Sequence, residues 1–204
     1  MASTWAEKTI TLITLGASLT LTEVTAEAAE RAASRITILV YNYAGMPADT
    51  LTRAEGEMAR IFHHTGVDAI WRDCLLDFRS KNDPCPAPSP LTPALRFQSQ
   101  FQLVPDAVHL STVGFSVGYF ATVSVDYAEE LARAGMGALH EVLAHIAAHE
   151  LGHILLPGNA HAVSGIMKAA FSLDDWALAR QGRLFFAPKQ AEFMRKELFV
   201  SREQ

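Results

Sequence analysis

The run from Gly137 to Leu156, GALHEVLAHIAAHELGHILL, constrains this chain more than any other stretch. Its apolar residues lie all round the axis of a helix, which is how a helix enclosed by the rest of a domain reads. Pro157-Gly158 terminates it. Four histidines, His140, His145, His149 and His153, fall within fourteen positions of this one segment. Imidazoles on a buried helix need either hydrogen-bond partners or a shared ligand.

Spacing separates the four. His149 and His153 are four apart, so they advance about 400° around the axis and about 6 Å along it, and both project from one face. Glu150 sits on the adjacent flank, within reach of a water between the two rings. This is H-E-x-x-H, two zinc ligands with a general base. The plainer alternative is a pair of hydrogen-bonded core histidines with Glu150 in a salt bridge. His140 and His145 are five apart, about 140° around the helix, and cannot chelate as a pair. His145 lies one turn before His149 and reads as a packing residue or a support for the site, and His140 as structural.

A catalytic zinc takes three protein ligands and keeps an open position. The turn Gly158-Asn-Ala-His161 brings the chain back under the helix and offers His161 as the third. Asp174 or Asp175 is the fallback. Ser164-Gly165-Ile166-Met167 reads as a tight turn that sets Met167 beneath the metal. His149-Glu150-Leu-Gly-His153, then Gly158-x-x-His161, then Gly165-Ile-Met167 resembles the metzincin clan of zinc metallopeptidases. In that clan a glycine turn supplies the third histidine and a Met-turn floors the site. HELGHILLPGNAHAVSGIM also resembles short secreted bacterial peptidase-like proteins. One departure stands out: metzincins place two residues between the second histidine and the glycine, whereas Ile154 to Pro157 makes four here.

Elsewhere, Ile36 to Tyr43 reads as a central strand. Asp49 or Thr50 is expected to cap a helix running to His64, with Leu51, Ala54, Met58, Ile61 and Phe62 as its buried stripe. Gly66 ends that helix and Val67 to Trp71 forms a second strand, a βαβ start that favours parallel pairing. Residues 84–93 hold five of the nine prolines and read as a loop. Strand-like sequence resumes at Leu95 to Val104. Val113 to Val125, broken by Gly114 and Gly118, reads as two short strands or one bulged edge strand, with the edge near Phe115 to Phe120 suited to pair with an extended substrate. Helices are expected over Asp126 to Ala134 and Pro188 to Leu198. Phe171 follows the methionine turn where a hydrogen-bonding aromatic would serve, and it cannot donate.

Lys8, the uncharged run Ile10 to Leu21 and Ala26-Glu27-Ala28 form the pattern of an export signal cleaved after Ala28, leaving 29–204 as one domain. No long segment separates that site from the first strand, so latency through a pro-domain is not expected. Export agrees with a disulfide between Cys74 and Cys85, which bracket a short polar loop. With 17 Lys plus Arg, no basic run and a formal charge of −5, the chain offers nucleic acid no electrostatic footprint.

The expectation is therefore an α+β, zincin-like single domain. A small mixed sheet and its covering helix lie above, the 137–156 helix floors a cleft, and a short C-terminal part carries His161 and Met167. The function expected is that of a secreted or periplasmic metallopeptidase, binding one Zn2+ and cleaving peptide or protein substrates through a zinc-activated water with Glu150 as base. The alternatives are a zinc amidase acting on cell-wall peptide and a non-catalytic secreted domain with a structural zinc. No stable membrane insertion is expected after signal removal.

Overall fold

The strand RITILVYN is rich in β-branched residues and buries alternate side chains, Ile36, Ile38 and Val40, on one face. It forms β1 (Arg35–Asn42), an interior strand of the sheet in a computed structural model that describes residues 35–74, 85–99, 114–158 and 161–200. Beside it run β2 (Asp68–Asp73) and β3 (Ala94–Gln98), followed by β5 (Phe120–Ser124) and β4 (Gly114–Val117). The order across the sheet is β2-β1-β3-β5-β4. The first four strands are parallel, and β4 is antiparallel to β5, with Gly114 opposite Val123 and Val117 opposite Phe120. The expected pair of strands around Gly118 is present, and β4 is an edge. Gly118, at φ +58°, makes the two-residue turn between them. The expected export signal lies outside the described residues.

Parallel β1 and β2 need a crossover, and α1 (Ala48–His64) supplies it. Its buried stripe is Ala54, Met58, Ile61 and Phe62, with Leu51 packed against it, as the spacing predicts. The start differs from expectation. Pro47 occupies the cap position and no side chain caps the helix; Asp49 and Thr50 lie inside the first turn, where Asp49 pairs with Arg53. Asn42 does the local work instead. Its amide donates to the Met46 carbonyl and its side-chain oxygen accepts from the Met46 N–H, both at 2.9 Å, closing the β1–α1 loop.

The long apolar helix is α3 (Leu139–Leu155), and ten of its residues are buried, Val142 through Ala148 and Glu150 through Gly152. It packs between α1 and the β5–β4 side of the sheet, with α2 (Val125–Arg133) alongside. Glu141 accepts the Ala138 N–H at 2.8 Å and satisfies one of the donors left free at the start of α3. Sheet residues Ile36, Ile38, Val40, Leu95, Phe97, Ala121 and Val123 share one core with these helices. The opposite sheet face carries a smaller cluster of Leu39, Cys74 and Ala94, against which Tyr41, Cys85 and Phe120 pack.

Two helices close the chain, α4 (Leu173–Arg180) and α5 (Pro188–Val200). The second matches expectation; the first stands in a part read as irregular. No helix among the described residues is long and apolar enough to cross a membrane.

Cys74 and Cys85 are disulfide-bonded, eleven residues apart, with Cα atoms at 5.9 Å. The bridge ties the end of β2 to the segment leading into β3, at the small second core. Replacing both cysteines by serine is expected to lower unfolding free energy by about 3 kcal/mol under oxidising conditions. Denaturant melts of the two proteins measure this, and coincident midpoints would show that the bridge constrains nothing.

Candidate metal centre

His149 and His153 leave the same face of α3 one turn apart, and their Nε2 atoms approach to 3.0 Å. His149 Nδ1 lies 2.7 Å from the Ile166 carbonyl oxygen. A carbonyl only accepts, so the ring proton sits on Nδ1 and the Nε2 lone pair is free to face its neighbour. His161 completes the cluster, and one nitrogen from each of the three rings falls within 4.8 Å of the others. The ring centroids stand 4.7 Å apart for His149–His153, 4.8 Å for His153–His161 and 5.5 Å for His149–His161.

The two extra residues after His153 are absorbed at the helix end. α3 continues only to Leu155, Leu156 turns extended, and Gly158 adopts φ +65° with open space around it. His161 still arrives beside the other two rings. Asp174 and Asp175, the fallback ligands, fall outside the histidine cluster. Both belong to the first turn of α4, where Asp175 accepts from the Ser172 N–H and hydroxyl and pairs with Lys168 Nζ at 2.5 Å. Burial alone raises the Asp175 carboxyl, but the Lys168 ammonium and the Ser172 donors outweigh it and hold it below the usual carboxylate value.

Beneath the rings runs a tight turn. Lys168 N–H donates to the Gly165 carbonyl at 3.1 Å, Gly165 has φ +78°, and Phe185 O accepts the Ile166 N–H at 3.0 Å. The same turn offers Ile166 O to His149 and buries Met167 completely. Met167 lies against Gly152 of the HELGH segment: a Cβ at Gly152 would collide with the Met167 sulfur and with Phe186 at 2.9 Å. The glycine inside HELGH is thus a packing requirement. Sequence spacing pointed to Met167; it did not point to the Ile166 carbonyl, because any residue supplies that atom.

The electrostatics suit cation binding. Burial lowers the affinity of His149 for a second proton, helped by the neighbouring His161, and in His153 burial followed by His149 and His161 lowers the pKa to about 4. Both rings are neutral at pH 7, the form that ligates a metal. Glu150 is only 7% exposed, and burial pushes its carboxyl up to about 8. A dication beside it would favour the ionised form again.

His145 does not support this site. It is fully buried, Nδ1 bonds the Glu141 carbonyl at 2.8 Å within its own helix, and its charged neighbours are Glu57 and Arg60 of α1 as well as Glu141. Its pKa is lowered, chiefly by burial, so it packs as a neutral ring in the α1–α3 interface.

A cleft of about 860 Å³ opens over the cluster. His149, Glu150, His153 and His161 form its floor; Gly114, Phe115 and Ser116 of β4 line it as well, and Tyr127, Leu131, Ile146, Phe171 and Trp176 add apolar lining. Phe171 stands edge-on to both His149 and Trp176 and packs rather than donates.

No protein-family model matches the sequence, and no curated protein matches it. Solved structures do. An archaemetzincin from Methanopyrus kandleri superposes with a TM-score of 0.52 at 17% identity, covering 81% of this chain and 96% of that one. A zinc-dependent peptidase from Methanocorpusculum labreanum superposes with a TM-score of 0.50 at 15% identity, covering 77% of this chain and 99% of that one. Likeness at such identities is a likeness of fold, and by it the chain has a zincin-like fold, a mixed sheet set over a long histidine-bearing helix.

Proposed function

We propose that the chain is a zinc metallopeptidase in which His149, His153 and His161 hold one Zn2+ and Glu150 is the general base. The observation that carries this reading is the three-imidazole cluster, with the His149 proton committed to Ile166 O, on the floor of a cleft beside Glu150. Three neutral nitrogens and no carboxylate are a donor set that suits zinc and leaves a coordination position free. The fold shared with an archaemetzincin and a zinc-dependent peptidase supports the same assignment.

Bound zinc would supply a Lewis acid and lower the pKa of a water from about 15.7 to about 7. Glu150 takes a proton from the attacking water and returns it to the leaving amine nitrogen. Its burial keeps bulk water from competing for that proton. The strand β4, last in the sheet among the described residues, borders the cleft, which suits an extended peptide lying along it. The apolar lining from Tyr127, Leu131, Ile146, Phe171 and Trp176 suits a substrate with a large apolar side chain. Met167 under the rings takes the part of the Met-turn. The disulfide and the export pattern over residues 1–28 support a secreted or periplasmic site of action.

The test is cleavage of a mixture of peptides and cell-wall peptide by purified protein, before and after chelation. Turnover should fall to background with chelator and return on adding one equivalent of Zn2+. Activity indifferent to chelation refutes the proposal, and cleavage confined to cell-wall peptide would make the enzyme an amidase.

A further inference from the structure

We infer that Gly114 is a positioning residue for Glu150: the missing side chain on the edge strand makes the space that the carboxylate occupies. The inference rests on the peptidase reading above and adds a residue to its machinery.

Gly114 opens β4, is buried and is paired with Val123. Its backbone is not in the left-handed region, unlike Gly118 in the following turn, so conformation does not require glycine there. A glycine in a strand otherwise costs stability and packs nothing. What a side chain would meet supplies the reason. A Cβ at Gly114 would lie 2.7 Å from Glu150 Cγ and 2.8 Å from Oε1, closer than real Cβ atoms come, and 3.0 Å from Cδ, tighter than most. No other atom ranks among its three nearest neighbours. Gly118 differs: nothing lies within 4 Å of its own Cβ position.

An added methyl must therefore displace one partner. The strand is fixed by its ladder to β5, and the Glu150 backbone is fixed in the interior of α3 between His149 and His153. The movable part is the Glu150 side chain, which can rotate away at small cost in stability because its end faces the cleft. Gly114→Ala should thus spare the fold and the three imidazoles while misplacing the base. A shift of about 1 Å in a reacting group can cost about 10²-fold in rate.

The experiment is a double-mutant cycle on the zinc-loaded full chain, using a peptide the wild type cleaves, with Gly114→Ala and Glu150→Gln alone and together. Gly114→Ala should lower kcat by about 10²-fold with little change in KM, at unchanged zinc content. In the Glu150→Gln background the same substitution should change kcat by less than about twofold, since no base remains to misplace. Equal kcat in wild type and Gly114→Ala overturns the inference, as does a rise in KM of the same size in both backgrounds, which would place the effect on substrate pairing with β4. If Gly114→Ala itself lowers Tm, that loss should vanish when Glu150 is cut to alanine; an undiminished loss overturns the contact. A wild type without zinc-dependent turnover instead overturns the peptidase reading, and with it the catalytic meaning of the contact.

Discussion

Glu150→Gln is expected to retain zinc and the native fold and to lose about 10²- to 10⁴-fold in kcat. The substitution keeps the shape of a side chain that is 7% exposed and packed under Gly114, so it opens no cavity. It removes no ion pair, since no cation is seated on this carboxylate among the described residues. Burial already disfavours the charged form, and a neutral amide of the same size is accommodated without that desolvation cost. Stability should therefore be unchanged or slightly raised, while proton transfer to and from the reacting atoms is lost. A loss of 10³ in kcat corresponds to about 4 kcal/mol of transition-state stabilisation. Zinc analysis, thermal melting and steady-state kinetics on the same preparation separate the two effects. Unchanged turnover would remove Glu150 from the mechanism, and lost zinc would recast it as a support for the metal.

Much of this site was legible in the sequence because its register is helical. Residues four apart on one helix must share a face, so His149 and His153 could be paired, and His140 and His145 set aside, without coordinates. His161 and Met167 were readable only through the glycines before them, which fix where the chain reverses; the extra residues between His153 and Gly158 left their arrival to be determined. The short segment from Leu156 to Gly158 takes up that length without moving His161 out of range.

What the sequence hid is mostly long-range or backbone. The Ile166 carbonyl that orients His149 has no side-chain signature. The contact of Gly114 with Glu150 joins residues far apart in the chain, and a glycine between β-rich residues reads equally well as a bulge. For His145 the sequence left packing and support of the site both open, and burial in the interface with α1 decides for packing. Helix α4 went unread although Ser172-x-x-Asp175 is a capping pattern, because two adjacent aspartates after a presumed zinc turn looked like ligands. At α1 the error ran the other way: Asp49 and Thr50 suited a cap by residue type, yet Pro47 and the Asn42 clamp on Met46 set the start.

Two of the proposed ligands, His149 and His161, should differ in what their loss does to the metal-free protein. His149→Ala is expected to abolish stoichiometric zinc binding, reducing affinity by more than the roughly 10–100-fold typical of residues that merely support a ligand. It also removes the ring N–H from Ile166 O and the edge contact with Phe171, beside a completely buried Met167. An unpartnered buried carbonyl costs about 1–3 kcal/mol, so the chelated His149→Ala protein should melt below chelated wild type. His161 is exposed and no hydrogen bond holds its ring among the described contacts, so His161→Ala should weaken zinc binding while the chelated protein melts like wild type. The comparison therefore reads ligand and scaffold separately: zinc stoichiometry by metal analysis for one, melting in excess chelator for the other. If His149→Ala holds zinc as tightly as wild type, the cluster is not the metal site. If His161→Ala alone does so, the third ligand lies elsewhere, and His161 on the cleft floor belongs to substrate binding instead.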